Sequence, residues 1–206
     1  FGVIGIDLPA GPSEVLVIAN SNSNPTWLAY DVLAQGEHDP NAKTYVLSKS
    51  KNILIKVKNE LKRIMEETKF KNVDQSIKNN CNLILAKSQK EIYDISNFIA
   101  PEHLHIHEKL NKNILKNIKN AGSVFLGEKS PVALGDYTIG TNHVLPTDQT
   151  AKFSSGLGVE DYTKKTVFID PRKKTLKKIA NHTINLARQE GLEAHALSVE
   201  IRKIKP

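Results

Sequence analysis

Up to Leu126, short apolar runs alternate with longer amphipathic stretches in this chain. Val3 to Leu8 and Val15 to Ala19 read as strands flanking the turn Pro9-Ala10-Gly11-Pro12. Asn24-Pro25 is a helix start, with Asn24 as cap, and the helix runs through Trp27, Leu28, Val32 and Leu33 to about His38. Thr44 to Leu47 is a strand, Ile53 to Thr68 an amphipathic helix, and Leu83 to Ala86 a strand. A helix from Gln89 to Ile99 stops before Pro101, followed by a strand over Leu104 to His107, a small helix over Asn113 to Lys119 and a strand over Ser123 to Leu126. Such alternation predicts an α/β protein with a mostly parallel sheet covered by helices on both faces.

Between Gly127 and Gly158, glycine, proline and threonine break every period, and a loop region of that length usually carries function. Beyond it the pattern predicts a strand over Val167 to Asp170 and a helix from Asp170-Pro171 with Leu176, Ile179, Ala180, Thr183 and Ala187 on its apolar face. Gly191 ends that helix, and Leu192 to Ile204 is a second one. Having no sheet partner in sequence, this tail is expected to be a docking arm without a core of its own.

At 39% hydrophobic and 25% charged residues, the composition excludes disorder, and the longest apolar runs are too short for a membrane helix. With no export signal visible and a single cysteine, Cys81, expected to be a buried and inert thiol, the cytoplasm is the expected compartment. The net charge of +7 comes from 29 basic against 22 acidic residues. Lysines such as Lys56, Lys58, Lys62 and Lys69 are strewn along amphipathic stretches and aromatics make up only 6%, which favours a solvated surface over a nucleic-acid face. Phe1 begins mid-strand in character, so the chain reads as a piece of a longer protein.

Four stretches hold more reactive side chains than folding requires. Gln35 and His38, three apart at a helix end, can close on one ion, or form a C-terminal turn whose histidine suits the helix dipole. Glu102 and His103 are a carboxylate beside an imidazole, a pair of bases for water and for an alcohol proton, with His105 and His107 following as in a half-exposed strand. In the loop, glycines permit close approach, Asp136 can ligate a metal and His143 can orient a substrate. Glu190 and His195 flank Gly191 in the tail. Only Gln, His, Asp and His together make a nitrogen and oxygen shell suited to zinc.

Read in order, these stretches resemble the histidinol dehydrogenase family. The resemblance runs through Ala10-Gly11-Pro12-Ser13-Glu14-Val15, Leu33-Ala34-Gln35, Glu37-His38-Asp39 and Ala100-Pro101-Glu102-His103-Leu104. It continues through Gly122-Ser123, Gly135-Asp136-Tyr137, Asn142-His143-Val144-Leu145-Pro146-Thr147, Phe153-Ser154-Ser155-Gly156-Leu157, Glu190-Gly191-Leu192 and Ala194-His195-Ala196. Gly36, where alanine is more usual, is a small departure.

The resemblance implies the C-terminal half of an enzyme that oxidises L-histidinol to L-histidine in two NAD-dependent steps through an enzyme-held aldehyde. It implies an incomplete Rossmann-like fold, with residues 1–99 as part of one α/β domain, 100–165 as a second α/β segment and 166–206 as a helical dimerisation arm. Zinc ligands fall on Gln35, His38, Asp136 and His195, and substrate contacts on Ser13, Gln35, His38, His103, Asp136, Glu190 and His195. His103 takes the alcohol proton, Glu102 activates water, and Glu190 and His195 reach the site from the other subunit of a homodimer. The family's main NAD contacts lie in the missing half, no G-x-G-x-x-G occurs here, and the piece alone is expected not to turn over. The other readings of the same residues are a metal-assisted hydrolase with Glu102 as base, a dehydrogenase paralogue with another substrate, and a lysine-rich nucleic-acid binder.

Overall fold

The computed structural model describes residues 5–70, 73–108 and 112–204. Their packing divides the chain into two compact units, Phe1–Tyr162 and Thr163–Pro206. The first is built on a five-stranded, wholly parallel sheet of β1 (Glu14–Ala19), β2 (Lys43–Ser48), β3 (Cys81–Leu85), β4 (His103–Ile106) and β5 (Ser123–Leu126), in the order β3-β2-β1-β4-β5. One sheet therefore takes strands from residues on both sides of position 100.

Every residue of β1 is buried, because both faces of the sheet are covered. Val15 and Val17 face a cluster with Leu28, Val32 and Leu33 of α1 (Pro25–Gly36), Ile53, Val57 and Leu61 of α2 (Lys51–Glu67) and Val73 of α3 (Val73–Asn80). Leu16 and Ile18 face the opposite way, onto Ile92 of α4 (Gln89–Ile99) and Ile114 of α5 (Lys112–Asn117), with Leu104 and Ile106 of β4. Because α1 must return the chain to the start of β2, it begins at the carboxyl edge of the sheet and ends at the amino edge.

The helix starts follow the sequence. The Asn24 side chain accepts hydrogen bonds from the backbone N–H groups of Thr26 and Trp27, and Pro25 takes the first turn, where no N–H is needed. Ser50 and Ser88 cap α2 and α4 in the same way. Asn24→Ala is expected to cost about 1 kcal/mol in urea unfolding, whereas Asn24→Ser leaves stability nearly unchanged.

Four expectations change. Of the strand expected over Val3 to Leu8, Val3 and Ile4 lie outside the described residues, and Gly5 to Leu8 pair with no strand. Val167 to Asp170 forms no strand either: among the described residues it pairs with no other segment, and Val167, Phe168 and Ile169 are more than four-fifths exposed, so their β propensity goes unused. Helix α3 was not foreseen, since its eight residues carry too few apolar positions to set a period. The loop region contains α6 (Ala133–Tyr137), the element that carries Asp136.

The second unit is a hairpin of α7 (Lys173–Gln189) and α8 (Glu193–Ile204), turning at Gly191 with φ +73°. Contrary to the expected coreless arm, Ala180, Ile184, Ala187 and Ala196 are buried together with Val199 against them, a small core made possible by alanine-sized contacts. Among the described residues, no helix is long and apolar enough to cross a membrane.

Candidate active site

The candidate residues of the first unit gather at the amino edge of the sheet. β4 pairs with β1 so that His103 stands opposite Val15, which sets Glu102 beside Glu14. A Glu102 carboxylate oxygen (Oε2) accepts the backbone N–H of Glu14 at 2.9 Å, a bond between residues 88 apart in sequence. His103 Nδ1 lies 3.2 Å from the Glu14 carbonyl oxygen and 3.4 Å from Glu102 Oε2. Both neighbours can only accept, so Nδ1 carries the proton and the neutral ring presents its lone pair at Nε2. Burial acts to lower the His103 pKa, but the hydrogen bond and charge of Glu102 outweigh it and hold the imidazole above its ordinary value.

His103 Nε2 points at Asp136 Oδ1, 3.8 Å away. Asp136 is placed by Gly135: a β-carbon there would stand 2.6 Å from the ring of Phe125, the aromatic neighbour of His103, so only glycine lets α6 come this close to β5. Asp136 Oδ1 is buried and makes no hydrogen bond among the described residues, although the half-exposed His143 brings its Nδ1 to 3.2 Å. His103, Asp136 and His143 thus present ligand atoms to one another.

Gln35 and His38 reach the same edge from the end of α1. Gln35 is buried in its last turn, His38 is exposed in the turn beyond, and both line a pocket with Asp136, Tyr30 and Asp31. Ser13 is half-buried immediately before β1, its carbonyl accepting the backbone N–H of Lys43. Glu190 and His195, both exposed, stand on either side of the α7–α8 turn in the second unit.

Four participants, Glu14, Lys43, Asp148 and Asp31, were not picked out from the sequence. Glu14 is almost fully buried; burial pushes its pKa up, opposed by Lys43, whose ammonium lies 3.4 Å from Glu14 and 2.8 Å from Asp148. Asp148, at φ +49°, also donates its backbone N–H to Glu14, so this trio pins the long loop onto β1 and β2. The available signal for Glu14 was a lone acid opening an apolar strand; for Asp31 it was the four-residue spacing to Gln35. His105 and His107 are not half-exposed as expected but fully covered, facing α1. Cys81 is half-buried, and burial raises its pKa, which keeps the thiol protonated.

The fold and the site define a class: a doubly wound α/β protein whose polar residues converge on an oriented histidine beside nitrogen and oxygen atoms able to ligate an ion. The family model described as histidinol dehydrogenase matches residues 1–203. Histidinol dehydrogenases of Listeria monocytogenes and Methanocaldococcus jannaschii are 46% and 45% identical over 203 and 202 residues, in each case 98% of this chain and 48% and 47% of the relative. A crystal structure of histidinol dehydrogenase from Elizabethkingia anophelis, 36% identical, superposes with a TM-score of 0.87 over 97% of this chain and 46% of that one. The chain belongs to the histidinol dehydrogenase family and spans about half the length of the curated relatives it matches.

Proposed function

We propose that this chain supplies the C-terminal half of a cytoplasmic, zinc- and NAD-dependent enzyme that oxidises L-histidinol to L-histidine. The observation that carries this reading is the fixed His103 tautomer, with Nδ1 held by Glu102 and Glu14 and Nε2 turned toward Asp136. Gln35, His38 and Asp136, joined by the partner subunit's His195, would hold the zinc, whose chemistry would be to orient the nitrogen-bearing substrate, while NAD would accept the hydride. The fit rests on donor chemistry: the set is all nitrogen and oxygen, and Asp136 offers a buried oxygen with no hydrogen bond among the described residues.

His103 Nε2 takes the hydroxyl proton of histidinol as the hydride leaves C1, giving the aldehyde. Glu102 commits Oε2 to the Glu14 N–H and leaves Oε1 for the water that attacks this aldehyde; the hydrated carbon then gives up its second hydride. Ser13 and the partner subunit's Glu190 contact the substrate. The exposed Leu186, Leu197 and Ile201 on the α7–α8 hairpin suit an arm that packs on a second copy.

The full-length protein is expected to form about two NADH per L-histidinol consumed, the count that a four-electron oxidation requires. His38→Ala and His195→Ala chains, each inactive alone, should regain activity when mixed, because one mixed site is then intact. A lack of rescue, with mixed dimers shown to form, would remove the trans assignment of His195.

A further inference from the structure

Farther along the same helix and strand lies a second group of ligand atoms. Asp31 sits one turn before Gln35 on α1, and His105 and His107 lie on the face of β4 and its extension that also carries His103. His105 Nδ1 stands 3.0 Å from Asp31 Oδ2, and His107 Nε2 stands 3.6 Å from the same oxygen, beyond hydrogen-bond reach. His107 is 3% exposed, and neither of its ring nitrogens has a hydrogen-bond partner among the described residues.

The other edge of His105 is settled: Nε2 lies 3.0 Å from the Gly127 carbonyl oxygen, which only accepts, so Nε2 carries a proton. A neutral His105 then aims its Nδ1 lone pair at the Asp31 carboxylate. A proton on Nδ1 satisfies that pair, yet leaves the buried His107 without a partner at either nitrogen, an arrangement that native interiors avoid. A cation placed among Asp31 Oδ2, His105 Nδ1 and His107 Nε2 gives each of these three a partner and leaves only His107 Nδ1 without one among the described residues.

We propose that Asp31, His105 and His107 form a second metal site, selective for a divalent first-row transition ion of the zinc type. Their ligand atoms lie within 4.8 Å of one another. Tetrahedral zinc with bonds of about 2.0–2.1 Å sets its ligand atoms about 3.3 Å apart, a value that the 3.0 and 3.6 Å separations bracket. The Gly127 carbonyl is the outer acceptor that metal-bound histidines commonly use to fix ring orientation. Asp31 also lines a groove with Trp27, Tyr30, Glu128 and Lys129. Same-face strand residues are about 7 Å apart, so an ion here is separate from one at Asp136 and not half of a bridged pair. Its effect is to clip α1 to β4 beneath the pocket that Gln35 and His38 line.

The test is a zinc count on full-length protein equilibrated with buffered Zn2+, compared across His38→Ala, His107→Gln, Asp31→Asn and the double variant His38→Ala/His107→Gln. The expected counts are about two per chain in the parent, about one in each single variant and none in the double variant. Should the Gln35/His38 site take no zinc, His107→Gln alone brings the count from about one to none while His38→Ala leaves it unchanged, so failure of the two sites is distinguishable. A count unchanged by both His107→Gln and Asp31→Asn overturns the proposal. If those variants do not fold, the parent still decides: ring 15N resonances of His105 and His107 must move on Zn2+ addition, and their constancy overturns it equally.

Discussion

On the proposed function, His103→Asn in the full-length protein is expected to lower kcat by about 10²- to 10⁴-fold, with KM for L-histidinol changed far less. Asparagine retains an N–H that can serve the Glu14 carbonyl, but no lone pair of imidazole basicity faces Asp136. The loss therefore belongs to proton transfer and not to binding. Glu102→Gln supplies the matching pH experiment. In the parent, His103 titrates above its ordinary value of 6.5 because Glu102 outweighs the opposing effect of burial. A base must be unprotonated, so activity rises with pH through that elevated value. Removing the Glu102 charge moves the acid limb of kcat/KM to lower pH, whatever happens to its height. An acid limb that stays in place would show that Glu102 does not govern the imidazole.

The same interaction has an opposite sign for stability. A histidine whose folded pKa exceeds its unfolded one stabilises the fold fully below the unfolded value, and that contribution is lost as pH rises through the folded value. Stability and activity therefore change in opposite directions over the window upward from 6.5. Thermal melts of parent and Glu102→Gln across that window should converge as the pH rises, to the extent that His103 accounts for their difference.

Gly122→Ala is the second change with a large expected effect. A β-carbon at this position would stand 2.6 Å from the Glu102 carbonyl oxygen and 3.3 Å from the β-carbon of Leu145. The carbonyl cannot simply swing away, because it accepts the backbone N–H of Ser123 at 2.9 Å in the β4–β5 ladder. Overpacking of this kind costs about 1–3 kcal/mol. The atom displaced belongs to the residue that holds His103, and a misplacement of about 1 Å in such a group can cost about 10²-fold in turnover. Urea unfolding and kcat measured on the same preparation test both halves. A variant that is destabilised yet turns over normally would separate Gly122 from the site.

Much of the molecule was legible beforehand, for reasons that differ by element. β1 carries the apolar run Val15 to Ala19, buried throughout, and such a run beside helical periods demands a two-sided parallel sheet. Asn24-Pro25 marks its helix start because capping is local chemistry. Val167 to Asp170 misled because strand propensity describes fit to a ladder, and among the described residues this segment pairs with no strand. The family resemblance singled out Gln35, His38, Glu102, His103 and Asp136; the alternation of β4 alone left His105 and His107 looking half-solvated.

The sequence by itself determined the strand and helix rhythm, the caps, the family and the side chains available for chemistry. Tertiary structure alone decided which His103 nitrogen faces the pocket, because that depends on Glu102 meeting the Glu14 N–H across 88 residues. It alone decided that Asp31 stands over His105 and His107, and that Gly122 and Gly135 are spaces and not merely flexible joints. The physical reason is common to these cases. Local periodicity says which face of an element is buried, whereas the register of β4 on β1 and of α1 above them sets which polar atoms meet there.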